Sequence, residues 1–275
     1  MSKNLSAAAQ TQFDDEVKQA FQGVGMLRDT VTIRNEVVGD TYKFRKMGKG
    51  LANQKPSQAE VTPMDVSHSL VTATLSNWNA PEYTDIFDQA EVNFDERQEL
   101  AEVIASALGR RLDQLIIDAA NAEASPAATI AHGSTGLTVD KLRQTRKAMK
   151  KKGVPSSDLT FLMSAEGEED LLASTEVTSS DYNAVKALVQ GDVNTFLGMN
   201  FIVIEDRDED GLPLSGSTRT GFAYHKSAIG LAIGMEITAA VDWIAQRTSW
   251  LCNGTMKAGA VSRDGDGIVK VNWTE

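Results

Sequence analysis

One stretch near the middle of the chain repeats hydrophobic residues at three- and four-residue steps. Between residues 93 and 124 these positions form a single apolar stripe, which predicts a helix of about 28 residues, roughly 42 Å long. Asn93 or Asp95 can cap its start, and Pro126 follows its end. Such a length is typical of a structural beam, because the mean helix has about 11–12 residues. The residues expected in its buried core are Leu100, Val103, Ile104, Leu108, Leu112 and Leu115.

A different spacing governs residues 30–76. Apolar and polar residues alternate at 31–34 and at 42–45, and residues 66–75 are rich in β-forming types. A polar segment with several glycines and prolines separates the last two stretches. The pattern predicts a long β-hairpin with a flexible tip and arms of about 12 residues, or roughly 40 Å. A hairpin of this kind is marginal alone, so further strands or another subunit should lie beside it.

The rest of the chain mixes short helices with strands. Helices are predicted at residues 7–25, 138–152 and 165–173. Strands are predicted at residues 159–163, 201–204, 222–224, 229–233, 237–243, 249–253 and 268–273. Because the strands and helices do not alternate regularly, the predicted fold class is α+β.

Charge is unevenly distributed along the chain. Thirty-eight acidic and 27 basic residues give a net charge of −11, which excludes tight binding of nucleic acid through overall charge. Basic residues nevertheless concentrate in the predicted hairpin and in the helix at 138–152. A solvent-exposed helix face explains the second cluster, and non-specific contact with phosphate is the alternative. The candidate DNA-facing residues are Lys147, Lys150, Lys151 and Lys152.

Residues that commonly perform catalysis are scarce. The single cysteine, Cys252, excludes a disulfide within the chain, and three scattered histidines exclude a zinc site of local spacing. No nucleophile elbow, dinucleotide-binding loop or Walker loop is present. We therefore predict no catalytic residue, metal ligand or cofactor. The N-terminus lacks an apolar signal-peptide core, and no segment is apolar for long enough to cross a membrane.

One acidic segment resembles the start of a calcium-binding loop. Asp206, Asp208 and Asp210 alternate as such ligands do, and Gly211 follows. The twelfth position, where a glutamate is expected, is Ser217. The segment is therefore interpreted as an acidic surface turn, with a loose cation site as the alternative.

Three stretches, in their order along the chain, resemble the major capsid protein of tailed bacteriophages, which has the HK97-like fold. FDERQELAEVIASALGRRLDQLIIDAA is similar to the spine helix of that family, including Gly109, Arg110 and Asp113. LTFLMSAEGEEDLLASTEV and TFLGMNFIVIEDRDEDGLP are similar to its axial domain. FAYHKSAIGLAIG, followed by VSRDGDGIVKVN, resembles its closing segment.

The resemblance implies a division of the chain into four parts. Residues 1–29 would form an N-terminal arm and residues 30–76 the extended β-hairpin loop. Residues 77–134 and 236–275 would form the peripheral domain, which contains the spine helix. Residues 135–235 would form the axial domain.

The resemblance also implies a function in assembly. Hexamers and pentamers would build an icosahedral shell around double-stranded DNA, within a virion assembled in the host cytoplasm. A scaffolding protein and a portal would be partners, and contact with DNA would be weak and non-specific. The hairpin would lie across a neighbouring subunit through Tyr42, Lys43, Phe44, Arg45, Lys46, Lys49 and Lys55. No lysine of the hairpin matches the cross-linking motif found in one branch of the family, so no cross-link is predicted.

Two alternatives remain at this stage. An encapsulin-like compartment would keep the fold and enclose an enzyme cargo in place of DNA. A carboxylate-dependent metal enzyme would use Asp206, Asp208 and Asp210, and would bind a cation tightly.

Overall fold

A computed structural model describes residues 25–85, 96–173 and 195–275. The helix predicted at 7–25 lies almost wholly outside these residues. The helices are α1 (Glu96–Asn121), α2 (Val139–Lys151) and α3 (Ala165–Ala173). The strands before α2 are β1 (Thr32–Arg34), β2 (Thr41–Met47), β3 (His68–Thr74), β4 (Ser76–Asp85) and β5 (Ala128–Ile130). The later strands are β6 (Leu159–Met163), β7 (Thr195–Phe196), β8 (Met199–Val203), β9 (Leu214–Ser215), β10 (Thr218–His225), β11 (Ile229–Ile244), β12 (Ser249–Ser262) and β13 (Ile268–Thr274).

The described strands form three sheets. One has the order β1-β11-β12-β4, and α1 packs against its last three strands. A second has the order β5-β13-β10-β6-β8-β7, with β9 on β10, and α2 packs against β5 and β13. The third is the two-stranded ribbon β2-β3. Helices and sheets of mixed direction confirm the α+β class.

The core follows from the apolar strands of the second sheet. All five residues of β6 are buried, because this strand lies between β10 and β8. Phe161 of β6 is fully buried, as are Tyr224 and Phe222 of β10 and Trp273 of β13. The Tyr224 hydroxyl lies 2.7 Å from Thr30 Oγ1, so the core also contacts the beginning of the described chain. Burial raises the pKa of Tyr224.

Strand pairing differs from the predicted boundaries at several points. β1 belongs to the predicted hairpin region 30–76, yet it pairs in parallel with β11. β5 and β13 fall in the segments assigned to the peripheral domain, yet they lie in the sheet that contains β6 and β10. These short segments are placed by long-range pairing, which alternation within the sequence does not encode.

The predicted strands at 229–233 and 237–243 are one strand. β11 runs through both and shifts register against β12 between Ile233 and Met235 and again before Thr238. The break in the apolar pattern at Gly234 therefore marks an irregularity within one strand, and it does not mark a turn.

Candidate intersubunit surfaces

The ribbon β2-β3 attaches to the rest of the chain at its base. Phe44 is buried in a small cluster with Val37, Ala73, Leu75 and Ala232. Its ring lies where a side chain on Gly230 would stand, since a Cβ there would be 2.7 Å from Phe44 Cζ. Tyr42 packs edge-on against the Phe44 ring at 4.8 Å between centroids. The prediction that Phe44 contacts a neighbour is corrected here, because its own chain covers it.

The ribbon is shorter than predicted and ends in a long exposed tip. Each strand has seven residues, about 23 Å at the usual rise. Residues 48–67, here called the hairpin tip, contain no strand. The last backbone bond across the ribbon runs from Gly48 N–H to Ser67 O at 2.8 Å, and the glycine- and proline-rich sequence after Gly48 contains no strand. Within the tip, Leu51 is 80% exposed and Val61 is 76% exposed.

Two predicted intersubunit lysines pair with their own chain. Lys46 Nζ lies 2.9 Å from Asp264, and Lys49 Nζ lies 3.2 Å from Asp266. Both aspartates belong to residues 263–267, here called the β12–β13 turn. The sequence did not reveal these pairs because Lys46 and Asp264 are 218 positions apart. Lys43, Arg45 and Lys55 are exposed.

The long helix α1 occupies the middle of the region predicted as 93–124. Ile104, Leu108 and Leu112 are buried, and Leu100 and Leu115 are partly buried against the same core. Asn93 and Asp95, the predicted caps, lie outside the described residues.

Val103 is an exception to the predicted apolar stripe, at 37% exposed. One residue step turns the side chain about 100° around the helix, which moves Val103 off the line of Ile104 and Leu108. The predicted burial of Val103 is therefore corrected.

The Gly109-Arg110-x-x-Asp113 motif of α1 receives the beginning of the described chain. Gly25 and Gly109 are in backbone contact, since a Cβ on Gly25 would lie 2.8 Å from Gly109 O. Asp113 accepts hydrogen bonds from the backbone N–H groups of Met26 and Leu27, both at 2.9 Å. Burial raises the pKa of Asp113, although these bonds and Arg207 oppose the shift.

The acidic segment around Asp206 contacts cationic side chains. Arg219 lies 3.1 Å from Asp206, and Arg110 lies 3.1 Å from Glu209. The buried Arg207 guanidinium lies 2.8 Å from Glu205 and 3.6 Å from Asp113.

Among residues 25–85, 96–173 and 195–275, no group of three His, Cys, Asp or Glu side chains is placed to hold a metal ion.

The basic helix α2 separates its cations between surface and interior. Lys147, Lys150 and Lys151 are exposed. Lys152, directly after the helix, is also exposed and forms an ion pair with Asp266 at 2.8 Å. Lys141, on the other side, is buried and donates to the carbonyl groups of His132, Thr135 and Gly136 at 2.7–2.8 Å. Burial lowers the pKa of Lys141, and Asp170 opposes that shift. The sequence pattern did not distinguish this lysine from its neighbours.

The far end of the first sheet exposes apolar side chains that the sequence analysis did not select. Val241, Trp243 and Tyr83 are each about two-fifths exposed. Trp243 packs on Trp250 with ring centroids 5.2 Å apart, and Arg247 lies over the Tyr83 ring. Exposed aromatic clusters of this kind are typical of protein–protein contacts.

Across the described residues, no helix is long and apolar enough to cross a membrane.

The sequence profile of the family described as "Phage capsid protein" matches residues 5–275. No curated protein matches the chain.

Solved structures of phage capsids have the same fold. The capsid of Cyanophage P-SCSP1u matches with a TM-score of 0.77 at 15% identity, over 100% of this chain and 96% of that one. The head of Helicobacter pylori bacteriophage KHP40 matches with a TM-score of 0.77 at 11% identity, over 95% of both chains. Mycobacterium phage Che8 matches with a TM-score of 0.71 at 17% identity, over 94% of this chain and 95% of that one.

The profile match covers almost the whole chain, and the structural matches cover nearly all of both partners. The fold is therefore the HK97-like fold expected from the spine-helix motif and the order of elements. The chain belongs to the phage capsid protein family and is a structural protein of the capsid, a major capsid protein.

Proposed function

We propose that the chain assembles into hexamers and pentamers that close an icosahedral shell around double-stranded DNA. The observation that supports this most strongly is the hairpin tip. Its residues are almost all exposed, and they extend beyond the small cluster that holds the hairpin base. A neighbouring subunit would supply the surface that this chain does not provide.

The tip has the composition of a surface that becomes covered on assembly. Leu51, Val61 and Met64 are large apolar residues exposed to solvent. Lys55 in the tip, together with Lys43 and Arg45 on the adjoining strand β2, adds positive charge on a chain of net charge −11. Apolar burial would supply most of the contact energy, because exposed ion pairs contribute only about 0.2–1 kcal/mol each. Tyr42, Phe44, Lys46 and Lys49 would orient the hairpin from within the subunit.

The two larger sheets correspond in this proposal to the two domains of the capsid fold. The sheet that packs on α1 would lie in the peripheral domain, and the sheet around β6 in the axial domain. The boundaries 1–29, 30–76, 77–134 with 236–275, and 135–235 describe this division approximately.

Contact with packaged DNA would be weak and independent of sequence. Lys147, Lys150 and Lys151 lie exposed on one helix, whose residues 139–151 include no aromatic side chain for base stacking. Lys152 is a weaker candidate, because it is already paired with Asp266. The overall negative charge would keep the inner surface from binding DNA tightly. A scaffolding protein and a portal are the further partners proposed, with assembly in the host cytoplasm.

Electron microscopy of the purified full-length protein tests this proposal. Particles of uniform diameter, with six-fold and five-fold capsomers, are the expected result, with and without a co-expressed scaffolding protein. A chain that stays monomeric under both conditions would contradict it. Shells purified from the host with protein cargo, and without nuclease-resistant DNA, would instead support the encapsulin-like alternative.

A further inference from the structure

The β12–β13 turn contacts the hairpin through several of its side chains. Asp264 pairs with Lys46 and Asp266 pairs with Lys49. The Arg263 guanidinium lies over the Phe44 ring, 5.2 Å from its centroid. Three consecutive contacts therefore follow the hairpin from its buried base towards its tip.

The same turn also contacts the sheet and helix on its other side. Asp266 pairs with Lys152 at 2.8 Å, directly after the end of α2. Lys49 Nζ also lies 3.5 Å from the carbonyl oxygen of Lys152, at the negative end of that helix. The Asp266 carboxylate is thus shared between a lysine of the hairpin and a lysine of α2.

Internal hydrogen bonds hold the turn in one conformation. The Asp264 side chain accepts the backbone N–H of Asp266 at 3.1 Å, and Gly267 N–H donates to Asp264 O at 3.1 Å. The N–H groups of Arg263 and Asp264 both donate to Ala228 O, at 2.7 and 3.2 Å. The backbone that carries Asp266 is therefore fixed by bonds within the turn and to Ala228.

We propose that the β12–β13 turn sets the direction of the hairpin relative to α2, through the Asp266 carboxylate shared by Lys49 and Lys152. Each subunit would then present its hairpin at a fixed angle before it meets a neighbour. The significance of that angle rests on the proposed assembly, whereas the angle itself is a property of the single chain.

Distances between two spin labels on the unassembled full-length chain test this inference. The labels are placed by His68→Cys, at the tip end of β3, and Lys147→Cys, on the exposed face of α2, with Cys252→Ala as background. We expect a narrow distance distribution, which Asp266→Asn and Lys49→Gln broaden and Asp266→Glu retains. Asp140→Asn is the matched control, because it removes an exposed ion pair with Arg143 on α2 that does not involve the hairpin.

Two results would overturn the inference. One is a distribution that is already broad without substitution at position 266, and the other is an unchanged distribution in both Asp266→Asn and Lys49→Gln. Lys49→Gln keeps the test informative if Asp266→Asn does not fold, since Lys49 is a largely exposed residue. Electron microscopy of the unsubstituted protein separates the two proposals: absence of shells contradicts only the proposed function.

Discussion

The carboxylate of Asp113 accepts the backbone N–H of Leu27 at 2.9 Å, across 86 positions of sequence. Asp113 lies on α1, and Leu27 lies near the beginning of the described chain. The adjacent N–H of Met26 binds the other carboxylate oxygen. One buried side chain therefore fixes where the N-terminal part of the chain meets the spine helix.

Replacing this carboxylate should destabilise the subunit strongly. Asp113→Ala leaves the buried N–H of Leu27 and the partly buried N–H of Met26 without their acceptor, and removes one of the carboxylates beside buried Arg207. We expect the free energy of unfolding to fall by about 3–5 kcal/mol, measured by denaturant titration. Glu102→Ala, on the exposed face of the same helix, should change it by no more than about 0.5 kcal/mol. A loss below about 1 kcal/mol for Asp113→Ala would contradict the described role.

Two substitutions on α1 test which of its faces is buried and which is exposed. Leu108 is 3% exposed, and Leu108→Asp would place a charge in the core. We expect this variant to be insoluble. Val103→Asp is the matched control, since it introduces the same charge five positions earlier, where the side chain reaches solvent. Soluble expression followed by gel filtration distinguishes the two, and equal recovery of both variants would refute the burial assigned here.

Lys141 should be important for the loop before α2. Lys141→Met keeps the length of the side chain but removes the donor to three backbone carbonyls. We expect a loss of about 2–4 kcal/mol in the free energy of unfolding. Lys147→Met on the exposed side of α2 is the control and should be nearly neutral. A similar free energy of unfolding for both variants would show that water can replace the Lys141 ammonium group as the donor to these carbonyls.

Acid should release the hairpin through Asp266. The hydrogen bond from Lys152 lowers the pKa of Asp266, burial opposes this shift, and the bond from Lys49 adds to the lowering. A lowered folded pKa means that this contribution to stability is complete above the unfolded value, about 3.9, and is lost as the pH falls through the folded value. The groups that face the Asp266 carboxylate are Lys49 and Lys152, and the neighbouring Asp264 pairs with Lys46.

The distance between labels at positions 68 and 147 measures this release. We expect no change between pH 7 and pH 4, and a broader distribution only as the pH falls further below the unfolded value of about 3.9. Circular dichroism identifies the pH at which the whole chain unfolds. A distribution that stays narrow until global unfolding, or that broadens at pH 5–7, would contradict the prediction.

Deletion of the hairpin tip should separate folding from assembly. Removing residues 51–63 spares the buried base around Phe44 and the ion pair of Lys49. We expect the monomer to keep its circular dichroism spectrum and thermal midpoint, but to form far fewer shells by sedimentation. Loss of the circular dichroism spectrum or a clearly lower thermal midpoint in this variant would show that the tip belongs to the core of its own subunit.

Elements with local signals were predictable from the sequence. The strand at 159–163 and the helix at 165–173 have their predicted bounds, because a largely apolar run ends at Ser164, whose side chain accepts the N–H of Gly167. The long helix followed from its apolar stripe. The hairpin followed from alternation, although its strands are shorter than expected.

Long-range contacts were not predictable in the same way. Lys46 and Asp264 are far apart in sequence, and only the folding of β11 and β12 brings them together. Lys141 and Lys147 both lie among basic and polar neighbours in the sequence of α2. Lys141 alone of the two packs against the loop at residues 132–136, and this contact buries it. Pairing of β1 with β11 likewise depends on tertiary structure, since three residues are too few for a pattern to indicate a partner.

A cryo-electron microscopy reconstruction of assembled particles tests the central claim most directly. The account predicts a closed icosahedral shell in which residues 48–67 of every subunit lie over a neighbouring subunit and bury Leu51, Val61 and Met64. Closed shells in which this segment contacts only its own subunit, or stays in solvent, would contradict it.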